Sequence, residues 1–322
     1  DSTFQIQRAY ITAKHQFDQI WSAVITLDAG NDNTYEVGTS DSRYNVYVKN
    51  AYLQGKFGLG FGTLTMQFGM IGTAAIGLID RVSDYRWLNN CYLDSAKVIL
   101  AKSSTALGQS IDTSADMGVG AQLELLNGMV TVDAQITNGE GYKKTNETEY
   151  GDDGKAYLGM LTVRPIEGLY LAGYYRVHYT NEASDGDDYT SYYGGTVAYS
   201  TGLIKVGVSY ILATKSTWAA ATDTTTETDY SILDAFVFAN LNSVVGMPIL
   251  LAGRLAMGHT EFDAGEEVDT MLYAVGLGYE LTRGVRMMAY YEVLTSESDV
   301  AGSAADFTDD QQRFYIKCEA KF

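Results

Sequence analysis

The sequence is short of cysteine, of positive charge and of long apolar runs, and each shortage closes a class of protein. Two cysteines, Cys91 and Cys318, cannot build a disulfide framework or a cysteine-rich zinc site. Three histidines, His15, His178 and His259, lie far apart and lack metal-ligand spacing, so no metal or other cofactor is predicted. Twenty-two Lys and Arg stand against 40 Asp and Glu among 322 residues, a formal net charge of −18. The electrostatic footprint of a nucleic-acid binder is therefore missing, and no nucleic-acid partner is expected. The longest apolar candidates, such as 244–253, are interrupted by Pro248 and fall well short of the ~18 consecutive apolar residues of a membrane-crossing helix. No basic stretch followed by an apolar one opens the chain, which fits a soluble protein or a mature exported one. Apolar residues make up 46%, too many for a disordered chain.

What the chain does have is tyrosine, 25 residues of it, a residue of strands and membrane interfaces. It also has a period of two. In 8–14 (RAYITAK), Ala9, Ile11 and Ala13 share one face, and Arg8, Tyr10, Thr12 and Lys14 the other. Trp21, Ala23, Ile25 and Leu27 oppose Ser22, Thr26 and Asp28. At the end, Phe314, Ile316, Cys318, Ala320 and Phe322 alternate with Arg313, Tyr315, Lys317, Glu319 and Lys321. Such alternation means strands with one apolar and one wet face. It predicts strands over 4–14, 18–28, 44–57, 61–70, 114–125, 129–138, 155–165, 168–180, 189–200, 203–213, 228–240, 248–259, 268–281, 284–295 and 311–322. Most match the ~9–11 residues of a tilted membrane strand, whereas soluble strands average about 5–6.

Short connections alternate with long polar ones, the latter at about 29–43, 71–113, 139–154, 181–188, 214–227, 260–267 and 296–310. The long set carries much of the acid, including Glu147, Asp152, Asp185, Asp188, Glu266 and Asp309. Short turns on one side and long loops on the other are the layout of a transmembrane β-barrel. The apolar faces fit lipid: Met117, Val119, Ala121 and Leu123, for example, oppose Asp116, Gln122 and Glu124. Backbone inside a bilayer must be fully paired, so the sheet must close around its wet face. The predicted fold is all-β, a single transmembrane antiparallel barrel over 1–322. Fifteen strands leave the first and last running the same way, so parity predicts sixteen, with one strand ahead of Asp1 or one hidden within 71–113, where 96–102 reads as extended. The first alternative keeps the alternation of short and long connections.

With the strands in place, the chain resembles bacterial outer-membrane porins, particularly the phosphate-selective-porin-like group. The segments that carry the likeness are 8–14 (RAYITAK), 50–57 (NAYLQGKF), 84–87 (DYRW), 114–120 (SADMGVG), 138–142 (NGEGY) and 313–322, ending in Phe322. The resemblance implies a sixteen-stranded homotrimeric barrel in the outer membrane of a Gram-negative bacterium, surrounded by lipid and lipopolysaccharide. It implies a loop folded inward to narrow the pore, here 71–113. It also implies that the aromatic end, Phe322, is read by the barrel-assembly machinery as an insertion signal. Phosphate selectivity does not carry over, because rows of Arg and Lys are what that group uses and this chain is acidic.

A pore works through its diameter and the charges on its wall. Strand parity places Arg8, Arg164, Arg176, Lys205, Arg254, Arg286, Arg313 and Lys317 inward, together with Asp28, Asp116, Glu124, Asp133, Glu280, Glu292 and Glu319. These residues either line the channel or pair across strands and stiffen the wall. Within 71–113, Asp80, Arg81, Asp84, Arg86 and Asp94 are candidate constriction residues; the other reading is an exposed loop with solvated charges. The function expected is passive diffusion of ions and small hydrophilic solutes, without catalysis. Two alternatives remain: a sheath for a partner such as a cytochrome, and an outer-membrane lipid hydrolase, which would need a Ser and a His brought together.

Overall fold

The computed structural model describes residues 4, 6, 8–31, 44–94, 111–142, 154–180, 188–219, 222–242, 246–263, 265–299 and 307–321. Its strands are β1 (Ala9–Gln16), β2 (Trp21–Asn31), β3 (Tyr44–Leu59), β4 (Gly62–Gly72), β5 (Ala115–Leu125), β6 (Val130–Thr137), β7 (Ala156–Val163), β8 (Leu169–Tyr179), β9 (Tyr189–Ser200), β10 (Ile204–Ala219), β11 (Thr224–Asn240), β12 (Ile249–Phe262), β13 (Glu267–Thr282), β14 (Val285–Asp299) and β15 (Phe307–Ala320). One helix, α1 (Ala74–Ser83), follows β4. The fifteen strands form one sheet in chain order, each antiparallel to the next. Sequential antiparallel pairing is what short turns between two-faced strands produce, because each new strand can cover its predecessor's open edge.

This is a transmembrane antiparallel β-barrel. Among the described residues β1 pairs only with β2 and β15 only with β14, and both run toward the short-turn end. Arg8, just ahead of β1, donates to the carbonyl of Arg86, and Lys317 of β15 donates to that of Leu88. The two edge strands thus grip the same stretch of chain, and the sheet curls round it. The segment 96–102, one of the two places where a further strand was expected, lies outside the described residues.

The outer face is apolar over the middle of the strands. Val119, Val132, Leu161, Val197, Val208, Leu255, Val275 and Ile316 are all exposed, which is tenable only against lipid. Leu255, near the middle of β12, gives a direct check. Leu255→Arg is expected to cost about 2–4 kcal/mol of folding stability in liposomes, read from urea unfolding. A cost near zero would mean that this face meets water.

Two sequence expectations need correction. Loops were expected at 214–227, 260–267 and 296–310, yet strands fill most of these stretches. Ala219 already pairs with Thr224, Glu261 with Glu267, and Ser298 with Phe307. Runs such as Thr224-Thr225-Thr226 are polar but β-branched, so they extend the ladder while lacking the apolar alternation that marks a strand. The second correction concerns the inner face, which was expected to be wet throughout. On β9 to β14 it carries Tyr192, Ile211, Tyr230, Ile232, Phe236, Phe238, Leu250, Leu272, Met288, Tyr290 and Leu294, all buried. These side chains form one core with Ile76, Ile79, Val82, Tyr85, Leu88, Tyr92 and Leu93 of α1 and the chain after it. The segment after β4 therefore packs against one side of the barrel interior and fills it.

Candidate functional site

The inner segment begins at Thr73. Its hydroxyl donates to the carbonyl of Thr113, and the first helical amide, on Ala74, donates to Gln135 Oε1 of β6 at 3.0 Å. Helical spacing then sorts the side chains of α1. Ala75, Ile76, Leu78, Ile79 and Val82 are buried, while Gly77 and Arg81 stay open on the other side. The helix stops at Asp84, which takes left-handed backbone angles (φ 56°, ψ 23°) and donates its amide to Asp80 O at 3.1 Å.

Irregular backbone at membrane depth must find partners for its polar groups, and the wall supplies them. Besides the bonds from Arg8 and Lys317, Arg254 Nη1 donates to Asn90 O at 3.1 Å. Arg254 also holds Asp234 through Nε to Oδ1 at 2.8 Å and Nη2 to Oδ2 at 3.1 Å. Asn89 Nδ2 donates to Glu292 Oε2 at 3.0 Å. Further along, the Tyr92 and Tyr174 hydroxyls lie 2.5 Å apart. Asp112 meets Arg176 at 3.4 Å and accepts from the Tyr192 hydroxyl at 2.5 Å.

The helix end is held by charge. Arg286 donates to Asp84 through Nη1 at 2.7 Å and Nη2 at 3.0 Å, and through Nε to Glu319 at 2.6 Å. Its guanidinium lies 4.4 Å from the centroid of the Trp87 ring. Lys205 Nζ sits 3.8 Å from Asp84. Burial pushes the Asp84 carboxyl up, but the hydrogen bonds and charge of Arg286, with Lys205 and Lys321, together outweigh it and hold the group below its ordinary value. A depressed folded-state pKa stabilises fully above the unfolded value, about 3.9, and that contribution is lost as pH falls through the folded value. Acidification below about pH 4 is thus expected to loosen this anchor and change Trp87 fluorescence. In Asp84→Asn that acid-sensitive step should vanish; an unchanged pH profile in the variant would refute the assignment.

The other side of α1 faces open space. A cavity of about 570 Å³ lies between the helix and the wall from β1 to β8. Ala74, Gly77, Leu78 and Arg81 form its helical side, and Thr12, Thr26, Asn50, Gln54, Thr65, Gln67, Gln122, Thr131, Gln135 and Thr162 are among its wall residues. The lumen is therefore a polar crescent beside a solid half.

Most of the inward residues read from the sequence fall in one or other of these regions. Glu124, Asp133 and Arg164 line the crescent, and Arg81 reaches it from α1. Arg8, Arg176, Lys205, Arg254, Arg286, Glu292 and Lys317 instead hold the inner segment. Arg313 pairs with Glu292 at 3.3 Å. Asp28 accepts from the Tyr142 hydroxyl at 3.2 Å, Asp116 from the Gly139 amide at 2.5 Å, and Glu280 from Asn240 at 3.3 Å. Within the segment, Arg86 bridges Asp80 at 3.0 Å and Asp94 at 2.7 Å, and none of the three is among the crescent's lining residues. Phe322 lies outside the described residues, as do Glu147, Asp152 and Asp185 of the acidic loops. Cys91 is buried and Cys318 exposed, and both are free.

Sequence reasoning missed Asp234, Asp112, Gln54 and Gln67, although it set Gln122 and Gln135 on the wet face. The available signal was β11 itself, where Asp234 interrupts an otherwise apolar inner row of Ile232, Phe236 and Phe238. On the outer face Ser231, His259 and Asp269 stand in register across β11, β12 and β13, with His259 Nδ1 2.8 Å from Asp269 Oδ1. Among the described residues no hydrogen bond joins Ser231 to His259.

No family model matches the chain, and no curated protein matches it in sequence. Solved structures do match in fold. OmpT of Vibrio cholerae, an outer-membrane protein, aligns with a TM-score of 0.59 at 16% identity, over 97% of this chain and 88% of its own. The outer membrane channel DcaP of Acinetobacter baumannii aligns with a TM-score of 0.59 at 12% identity, over 99% and 85%. The anion-selective porin from Comamonas acidovorans aligns with a TM-score of 0.56 at 11% identity, over 98% and 89%. The fold is thus the β-barrel of outer-membrane channels, including porins. At these identities the likeness speaks for architecture, and the wall chemistry must be read from this chain.

Proposed function

We propose that the protein is a porin in the outer membrane of a Gram-negative bacterium, passing ions and small hydrophilic solutes by passive diffusion. The observation that carries this reading is the polar crescent left between α1 and the wall, inside a barrel whose outer face suits lipid. In this reading the segment after β4 is the constriction element, and Arg81 facing Glu124 and Asp133 sets a local transverse field. No bond chemistry is needed. A homotrimer is supported by the trimer form recorded for OmpT of Vibrio cholerae, and the apolar outer face suits a surround of lipid and lipopolysaccharide. A sheath around a folded redox partner is disfavoured, because one side of the interior is already packed and the crescent beside it is the size of a small-molecule site.

Planar-bilayer recording tests the proposal. Stepwise conductance of uniform size is expected from the purified protein, and the reversal potential in a KCl gradient then reports ion preference. Insertion without any current would sink it.

A further inference from the structure

The chemistry of the crescent wall goes further than a generic pore, and the inference rests on the porin reading above. Four of its wall side chains are glutamines on four successive strands: Gln54 on β3, Gln67 on β4, Gln122 on β5 and Gln135 on β6. Pairing puts three of them in one row. Gln54 faces Gln67, Gln67 faces Gly120, and Gly120 faces Gln135. Gly120 adds no side chain to the row, and the Ile71 and Gln135 side chains close over it.

Each carboxamide has two donor hydrogens and an acceptor oxygen with two lone pairs. The protein uses part of that capacity. Gln67 Nε2 donates to Gln54 Oε1 at 3.1 Å, Gln122 Nε2 donates to Asp133 Oδ1 at 2.8 Å, and Gln135 Nε2 donates to Gly72 O at 2.8 Å. The unused donors and acceptors of Gln54 and Gln67 are open to whatever fills the lumen. Threonine hydroxyls flank the row at Thr65 and Thr131, and Tyr52 and Tyr170 add aromatic surface.

Charge in the same lining is balanced, with Arg81 and Arg164 against Glu124 and Asp133. Arg164 is further tied to the Gly128 carbonyl through Nε at 2.8 Å. An ion entering the crescent gives up water against a wall of no net charge, and so gains little in return. A hydroxyl group both donates and accepts, as does a carboxamide, so a polyhydroxylated neutral solute can exchange its water bonds for wall bonds. Its C–H faces have aromatic rings to meet.

We propose that the crescent favours neutral polyhydroxylated solutes of the saccharide class over charged solutes of equal size, with Gln54 and Gln67 as specificity-determining residues. Liposome swelling measures this with the full-length protein. Glucose and maltose are compared with size-matched gluconate and a size-matched quaternary ammonium ion, and planar bilayers report KCl conductance for the same preparation. Saccharides are expected to enter faster than either ion. The double variant Gln54→Leu/Gln67→Leu, nearly isosteric, is expected to slow maltose entry about five-fold, on the scale of one net hydrogen bond. Its KCl conductance, recorded alongside, should fall by a smaller factor than maltose entry, since bore width is retained. Charged solutes entering as fast as saccharides, or a variant that loses maltose and KCl flux in parallel, would overturn the assignment and leave the porin reading standing. Absence of any KCl current would overturn both.

Discussion

Gly77→Trp is expected to cut single-channel conductance by roughly half or more while leaving the barrel folded. Gly77 lies on the stripe of α1 that faces the crescent, one turn before Arg81, and a Cβ built there meets no atom within 4 Å. A large side chain at this position has only the lumen to enter. Its neighbours Ile76 and Leu78 are buried, and a bulky group at either would disturb packing instead. Gly77→Ala is the control. Alanine replaces a helix-interior glycine in open space, so about 0.5–1 kcal/mol of stability is gained with conductance nearly unchanged. Gel mobility before and after heating checks that both variants are barrels, and planar bilayers read the current. Wild-type current through Gly77→Trp would mean that ions take a path other than the crescent.

The second large effect is expected at Arg254. Its bidentate pair with Asp234 is nearly closed to solvent, with side-chain exposures of 3% and 5%, and the same guanidinium satisfies the carbonyl of Asn90. Arg254→Met strands a buried carboxylate and orphans that carbonyl. Breaking a buried pair by removing one partner costs about 3–5 kcal/mol. Replacing both partners by apolar groups of similar volume removes the stranded charge, so Asp234→Leu/Arg254→Met is expected to recover most of the loss. Urea unfolding of the single and double variants in liposomes gives the comparison. The single variant should also record a noisier current, because the inner segment loses an anchor midway along its length. Equal destabilisation in single and double variants would show that the pair is not what holds this part of the wall.

Much of this protein was open to a reader of the sequence. The alternation in 8–14 and 313–322 identified strands, and their length separated a membrane barrel from a soluble sandwich. Charges as far apart as Asp28, Arg176 and Lys317 are buried on the inner face. What parity could not give was the employment of those charges. Arg254 and Lys317 alternate correctly with outward residues, yet whether they meet water, a solute or a backbone carbonyl depends on where residues 85–94 travel. Those residues carry no period of two and show no sequence partner for the wall. The apolar inner rows of β11 and β12 were equally silent, because a strand that is apolar on both faces looks the same beside lipid and beside a packed loop.

The sequence by itself determined the ribbon: strands of membrane length, one greasy face, an antiparallel order, and which residues point inward. Those follow from local rules, since side-chain direction alternates along any strand regardless of what surrounds it. Only the tertiary structure decided how the interior is divided between a packed half and a polar crescent. That division arises from contacts between residues far apart in the chain, Leu88 with Lys317 and Asn90 with Arg254 among them. Such pairings are selected by close packing and by the need to satisfy every buried carbonyl, and both conditions exist only once the sheet has curled around the segment.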